Sequence, residues 1–308
     1  MSSAHKTLGK PIRIVDVYSH NVVTEFERIH AVLPRYPIVS MDTEFPGVIF
    51  KPTIDYHHQR QTPFEYYEVM KKNVDALKLI QVGLTLSDAR GNLPDFGTHR
   101  CIWQFNFSDF DVSKDSYAAD SIQLLKNQGI DFDRNRKEGI DSKMFARLLL
   151  HTRIFYNYSV NWISFHGGYD FAYLIKILIH PEPLPTRLED FMRLVTRFFG
   201  TRVYDIKHMM KSCEGLFGGL EKVGKTLGVD REVGNCHQAG SDSLLTLRTF
   251  FKLYAKHFTN QDIHGAYGGR LHDLTLVAPV QSNYGLNMYP YNCQMYRSQF
   301  PVYPNLIN

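Results

Sequence analysis

Short apolar blocks, some alternating and some continuous, run along most of the chain, and Pro, Gly and Asn separate them. Residues 12–18 (IRIVDVY) alternate and predict a strand. Asn21 is placed to cap a helix over residues 22–33, with Phe26, Ile29 and Leu33 on one face; Pro34 and Pro37 end it. Residues 38–50 (IVSMDTEFPGVIF) are the stretch around which the rest is organised. An apolar run carries Asp42-Thr43-Glu44 and stops at Pro46-Gly47, the mark of a buried strand. Residues 51–61 read as a polar loop in which His57 and His58 are ordinary surface residues. Thr62-Pro63 starts a helix to residue 77, with Pro at the first helical position. Residues 80–87 (IQVGLTLS) and 101–107 (CIWQFNF) predict two strands of a long hairpin. A helix over residues 117–127 follows Ser116 and is closed by Gly129. Another, capped by Asp141 or Ser142, turns Phe145, Leu148 and Leu149 inward.

Farther on, residues 162–165 (WISF) predict a short buried strand, and His166-Gly167-Gly168-Tyr169 a sharp turn. Asp170 opens an apolar helix over residues 171–179, and Pro181, Pro183 and Pro185 then break the chain. A helix over residues 188–198, a strand at 202–205, a helix, and another over 220–227 after Gly218-Gly219 come next. The helix over residues 243–256 is amphipathic, with Leu244, Leu247, Phe250, Phe251 and Tyr254 on its apolar side. Beyond about residue 260 neither period persists, and residues 281–308, rich in Tyr and Pro, predict a flexible or loosely docked tail. The order of elements predicts an α/β protein with a mixed sheet flanked by helices. Its expected organisation is a loose tail over residues 1–10, one domain over 11–260 and a flexible extension over 261–308.

Composition narrows the class. With 308 residues, 44% hydrophobic and 21% charged, the chain is in the globular range and long enough for one large α/β domain or two ordinary ones. A net charge of +4 permits a polyanionic partner without requiring one. Cys101, Cys213, Cys236 and Cys293 are scattered and form no C-x-x-C, so they read as reduced thiols and not as a disulfide frame or zinc site. The polar start MSSAHKTLGK lacks a signal-peptide core and no apolar run spans a membrane, so a soluble intracellular protein is expected.

The candidate chemistry lies at three junctions. Side chains on a strand alternate faces, so Asp42 and Glu44 point the same way, roughly 7 Å apart. Two carboxylates on a core strand are costly to bury without cations or donors. Water at the strand end or pairing with Arg or Lys is one answer; a site for Mg²⁺ or Mn²⁺ is the other. Asp170 stands at a strand-to-helix junction, where open α/β sheets bind ligands, and where an Asp also serves as a plain cap. His237 and Asp242 are five apart, which on one helix would separate them. A shared site needs His237 in the loop and Asp242 in the first turns, with Ala239 and Gly240 small enough to admit another segment. Gathered together, the four carboxylates would repel strongly, and two divalent cations would neutralise them. Two such ions about 4 Å apart clamp a scissile phosphate and activate water. A neutral His237 beside them could accept the proton.

D-x-E, then a strand-to-helix Asp, then H-x-x-x-x-D is the order seen in the DEDD 3′–5′ exonucleases with a histidine in the last motif. The segments MDTEFPGV, LKLIQVGLTLSD, IWQFNF, DSIQLLKNQGIDF, SFHGGYDFAYLIKIL, YDIKHMMKSC, GGLEKVGKTLGV and HQAGSDSLLTLRTFFKL are more specific. Over residues 12–258 they closely resemble the Pop2-type deadenylases, the carbon-catabolite-repressor-associated factors of the Ccr/Not complex. The resemblance implies an RNase H-like fold and removal of mRNA poly(A) tails from the 3′ end, releasing 5′-AMP. It implies two divalent metal ions, Mg²⁺ or Mn²⁺, with Asp42 bridging both, Glu44 and Asp242 completing one shell, and Asp170 serving the second. It makes His237 the general base. It also implies a large Not-type scaffold and a second deadenylase as partners, and a location in the cytoplasm, including mRNA-processing bodies, and the nucleus. One departure is Gly167 in HGGYDF, where relatives commonly carry Ser; it removes no metal ligand. Residue chemistry alone supports a two-metal phosphodiesterase; the adenosine preference and the complex come from the resemblance. The competing readings are a general RNA-trimming exonuclease of the RNase T or RNase D kind, and an adaptor that keeps the fold to join scaffold and RNA.

Overall fold

The strand-forming runs assemble into one mixed sheet in a computed structural model that describes residues 10–52, 61–259 and 261–275. Among the described residues its strands are β1 (Ile12–Val17), β2 (Ile38–Glu44), β3 (Gln81–Ser87), β4 (Arg100–Asn106), β5 (Asn161–Ser164) and β6 (Val203–Asp205), in the order β1-β4-β3-β2-β5-β6. The hairpin partners β2, β3 and β4 pair antiparallel, while β1 on β4, β5 on β2 and β6 on β5 pair parallel. The helices are α1 (Val22–Val32), α2 (Pro63–Ala76), α3 (Ala119–Asn127), α4 (Phe132–Glu138), α5 (Ser142–His151), α6 (Gly168–Ile179), α7 (Leu188–Phe199), α8 (Ile206–Met209), α9 (Leu220–Thr226), α10 (Ala239–His257) and α11 (Ile263–Tyr267).

Alternation along each strand sorts the two faces. Val39 and Met41 of β2, Val82 and Leu84 of β3, and Trp103 and Phe105 of β4 are buried with Phe26, Tyr67, Phe145 and Phe171 from the helices of one layer. The opposite face carries Ser40, Gly83 and Thr85, small residues that let α10 lie close. Ser40 Oγ donates to Ser243 O at 2.7 Å, and the Thr85 and Ser243 hydroxyls are 2.8 Å apart. Gln81 and Gln104 accept the N–H groups of Ala239 and Gly240 at 3.3 and 3.1 Å, satisfying donors that a helix start leaves open.

Several local expectations hold. Thr62 and Glu65 form a reciprocal capping box with Pro63 at the helix start, and Asp141 caps α5 through Met144 N. Others need correction. Asn21 holds the cap position of α1 as expected, but its side chain makes no capping bond; it accepts from Tyr18 N and donates to Asp16 O instead. The helix expected from residue 117 begins at Ala119, and the one expected from residue 243 begins at Ala239, because Gln81 and Gln104 receive its first amides. The highly charged α4 (FDRNRKE) has no apolar period and escapes a reading based on one. The expected domain end at residue 260 moves outward: α11 follows, Arg270 bridges to Tyr204, and Leu271 and Leu274 are buried in the main core. The described residues through Thr275 form one compact unit. Residues 1–9, His57, His58 and the tail over residues 281–308 lie outside the described residues. No described helix is long and apolar enough to cross a membrane.

Candidate metal and catalytic centre

The centre forms where β2 ends and both helical layers reach the same strand end. Asp42 and Glu44 project to the α10 side with Ser40, as alternation requires. Thr43 points to the other layer, where its hydroxyl donates to Asp170 Oδ1 at 2.5 Å. Asp170 is the third residue of α6 and not its cap; Gly167 holds the cap position without a side-chain bond. Asp242 is the fourth residue of α10, and its Oδ2 accepts the His237 N–H at 2.9 Å. His237 lies in the preceding loop with a left-handed backbone, φ 55°. One of its ring nitrogens, a Glu44 oxygen and an Asp242 oxygen all lie within 4.8 Å of one another. All five sequence-selected residues, Asp42, Glu44, Asp170, His237 and Asp242, thus gather at one strand end.

Electrostatics tie Asp42 to the other three acids. Burial first, then the charges of Asp170, Asp242 and Glu44, push the Asp42 carboxyl well above its usual range. Burial and then Asp242 and Asp170 do the same to Glu44. Burial raises Asp170 to about 7, against the hydrogen bond from Thr43. Asp242 is also raised, chiefly by burial, although Arg231 opposes the shift. The Arg231 guanidinium stands 2.6 Å from Asp242 Oδ1 and 2.8 Å from Glu221 Oε2. Among the described residues, one guanidinium against four acids leaves a shortage of positive charge that divalent cations would fill. The donors are hard carboxylate oxygens, which suit Mg²⁺ or Mn²⁺.

The sign of these shifts gives a pH prediction. An Asp titrates near ~3.9 when unfolded, and Asp170 near 7 when folded. Its contribution to the stability of the metal-free protein is complete below the lower value and lost as pH rises through the upper one. Added Mg²⁺ competes with those protons, so the gain in melting temperature over a chelator control is expected to be larger at pH 8 than at pH 5. A gain independent of pH would contradict this account of the four carboxyls.

Sequence reasoning missed the supporting residues. Thr43 sits inside the D-x-E motif, yet only the opposing helix gives it a role. Arg231 is one of many basic residues until α9 and α10 place it beside Asp242. Gly83 lies directly across from Asp42 on β3. A side chain there would meet the backbone of Ala239, with Cβ 1.8 Å from its carbonyl oxygen. Gln81, Gln104 and Asn106 did carry a signal, since polar residues interrupt otherwise apolar strands; Gln81 Nε2 donates to Asn106 Oδ1 at 2.7 Å. Gly167 is accommodated because a Cβ there would lie 2.3 Å from Ser164 Oγ. The departure leaves Asp170 in place.

Comparison with known proteins gives the same assignment. The profile of the CAF1 family ribonucleases matches residues 17–144 and 157–250. The chain is 49% identical over 248 residues to the probable CCR4-associated factor 1 homolog 10 of Arabidopsis thaliana, covering 80% of this chain and 87% of that one. It is 44% identical over 254 residues to the poly(A) ribonuclease pop2 of Schizosaccharomyces pombe, covering 80% and 70%. The solved Mg²⁺- and Mn²⁺-bound form of that S. pombe protein superimposes with a TM-score of 0.77 at 42% identity, covering 86% of this chain and all of the other. Yeast CAF1, co-crystallised with the NOT1 MIF4G domain, superimposes with a TM-score of 0.68 at 32% identity, covering 85% and 96%. With both segments of the family profile matched and the sheet order carrying the centre at the end of β2, the chain belongs to the CAF1 family of ribonucleases.

Proposed function

We propose that this protein is a 3′–5′ exoribonuclease that shortens mRNA poly(A) tails, releasing 5′-AMP, as a catalytic subunit of a Ccr/Not complex. The observation that carries the reading is the convergence of Asp42, Glu44, Asp170 and Asp242 from three chain segments beside His237. Asp42, Glu44, Asp170 and Asp242 would hold two divalent cations. When bound, such ions neutralise the scissile phosphate and make water a competent nucleophile at neutral pH. Thr43 keeps Asp170 facing the strand end, and Arg231 holds one oxygen of Asp242. His237, exposed at the rim, accepts a proton at a ring nitrogen from the attacking water. Adenosine as the substrate base is supported by the poly(A) ribonuclease pop2, and a Not-type scaffold partner by the NOT1 co-crystal of yeast CAF1.

The test is a 5′-labelled RNA with an adenosine tail, incubated with Mg²⁺, with Mn²⁺ and with chelator. Stepwise shortening that stops with chelator and slows when the 3′-OH is blocked is expected, with a cytidine tail trimmed more slowly. Equal rates on both tails would favour a general trimming exonuclease, and internal cuts would reject the exonuclease class.

The same assay isolates His237. General-base help is worth about 10²–10⁴-fold. His237→Ala is expected to lower the single-turnover rate by about that range at saturating RNA and metal, with both bindings nearly unchanged. Equal rates would return His237 to the ordinary loop histidines.

A further inference from the structure

A second set of ligating side chains meets outside the four-carboxylate centre. His166 occupies the turn between β5 and α6, and His272 and Asp273 follow α11. A ring nitrogen of each histidine and an oxygen of Asp273 lie within 4.8 Å of one another. His166 Nε2 is 3.2 Å from Asp273 Oδ2, and His272 Nε2 is 3.3 Å from Asp273 Oδ1. The imidazoles stand edge to face with ring centroids 4.9 Å apart. We propose that His166, His272 and Asp273 bind a divalent, imidazole-preferring ion of the Zn²⁺ class, at a site separate from the catalytic metals.

Three observations carry this assignment. The donor set is two imidazoles and one carboxylate, which suits Zn²⁺ far better than Mg²⁺. The spacing also fits. Ligand atoms 2.0–2.1 Å from a tetrahedral ion stand about 3.3–3.4 Å apart; the imidazoles meet opposite oxygens of Asp273 at 3.2 and 3.3 Å, and one atom from each of the three residues lies within 4.8 Å of the others, so a small closing movement brings the trio onto one ion. Finally, the backbones that carry the ligands are fixed. The fully buried Asp205 accepts the N–H groups of His166 at 2.8 Å, Gly167 at 3.2 Å, Lys207 at 2.9 Å and His272 at 2.9 Å. His166 and Asp273 are held at φ 61° and 62°, a region non-glycine residues seldom occupy unless the surroundings impose it.

Access and affinity follow from the same geometry. The His166 and Asp273 side chains are each 39% exposed, so an ion can enter from solvent, and water completes the shell. His272 Nδ1 is buried without a partner. Ligating histidines usually donate that proton, and losing such support weakens a site by about 10–100-fold. The ion is therefore exchangeable and not a permanent structural zinc. It would fasten the segment around Leu274, which packs on Gly168, to the turn that delivers Asp170. The inference goes beyond the ribonuclease reading and does not depend on it.

The experiment uses the full chain carrying Asp42→Ala and Asp242→Ala, which disables the carboxylate centre, stripped with chelator and titrated with Zn²⁺ by calorimetry. One equivalent is expected to bind. His272→Gln and Asp273→Asn, each added to that background, are expected to weaken binding by at least about tenfold. Each is also expected to remove the rise in melting temperature that Zn²⁺ gives the parent. Co²⁺ in place of Zn²⁺ should give the visible spectrum of a nitrogen-ligated tetrahedral ion. A parent that binds no Zn²⁺, or affinity unchanged in either folded variant, would overturn the proposal and leave the trio an ion-pair cluster.

Discussion

Asp42→Ala is expected to leave a folded protein with no measurable shortening of a 5′-labelled, adenosine-tailed RNA. Asp42 feels the charges of Asp170, Asp242 and Glu44, and the family resemblance makes it the ligand that two cations would share. Loss of a partner beyond the ligands already costs a metal site about 10–100-fold, and loss of a bridging ligand should exceed that. The fold should tolerate the change. In the metal-free protein Asp42 is held well above its usual range by burial and repulsion, so removing it relieves a cost once the pH passes the folded values. The melting temperature in chelator at pH 8 is therefore expected to match or exceed that of the parent. Activity comparable to the parent would sink the two-metal reading, while a protein that no longer folds would show that Asp42 serves the core.

Gly83→Ala is expected to damage both stability and activity although it removes no ligand. The added Cβ would lie 1.8 Å from Ala239 O, 2.1 Å from Ala239 C and 2.6 Å from Gly240 N. These are backbone atoms of the first turn of α10, and no side chain can rotate out of the way. The helix start must move, and with it the amides held by Gln81 and Gln104 and the position of Asp242. Overpacking of this kind costs about 1–3 kcal/mol. A misplacement near 1 Å at a reacting centre costs roughly 10²-fold in rate. Guanidinium unfolding and single-turnover cleavage check the two effects on one preparation. Gly219→Ala is the control, because a Cβ there meets nothing within 4 Å. Gly219 is the cap residue of α9, so Ala there should cost up to about 1 kcal/mol but leave the cleavage rate unchanged. If Gly83→Ala behaved like that control, close approach of α10 to β3 would not be what positions Asp242.

The sequence by itself determined the parts whose causes are local. Alternation in residues 12–18 marked β1, the apolar run stopped by Pro46-Gly47 marked β2, and strand geometry put Asp42 and Glu44 on one face. Thr62-Pro63 and Asp141 start their helices through contacts within one turn, so both starts were legible from neighbours alone, although Glu65 of the capping box and the choice of Asp141 over Ser142 came from the structure. The four carboxylates stood out because acids at strand and helix ends contradict their apolar surroundings, while their grouping with His237, against capping or ion pairing, came from the family resemblance. The tertiary structure decided what depends on residues far apart in the chain. Thr43 and Asp170 are 127 positions apart, and their hydrogen bond exists only because α6 packs on the β2 face opposite Glu44. Asn21, a good cap by its type, was drawn to Asp16 and Tyr18 by the turn it stands in. Residues 261–275 lack a clear period, yet they join the core because Asp205 receives the His272 amide and Leu274 fills the space over Gly168. Periodicity and capping are settled over a few residues. Close approach, charge balance and the sharing of one buried carboxylate among distant amides are settled only when the layers meet.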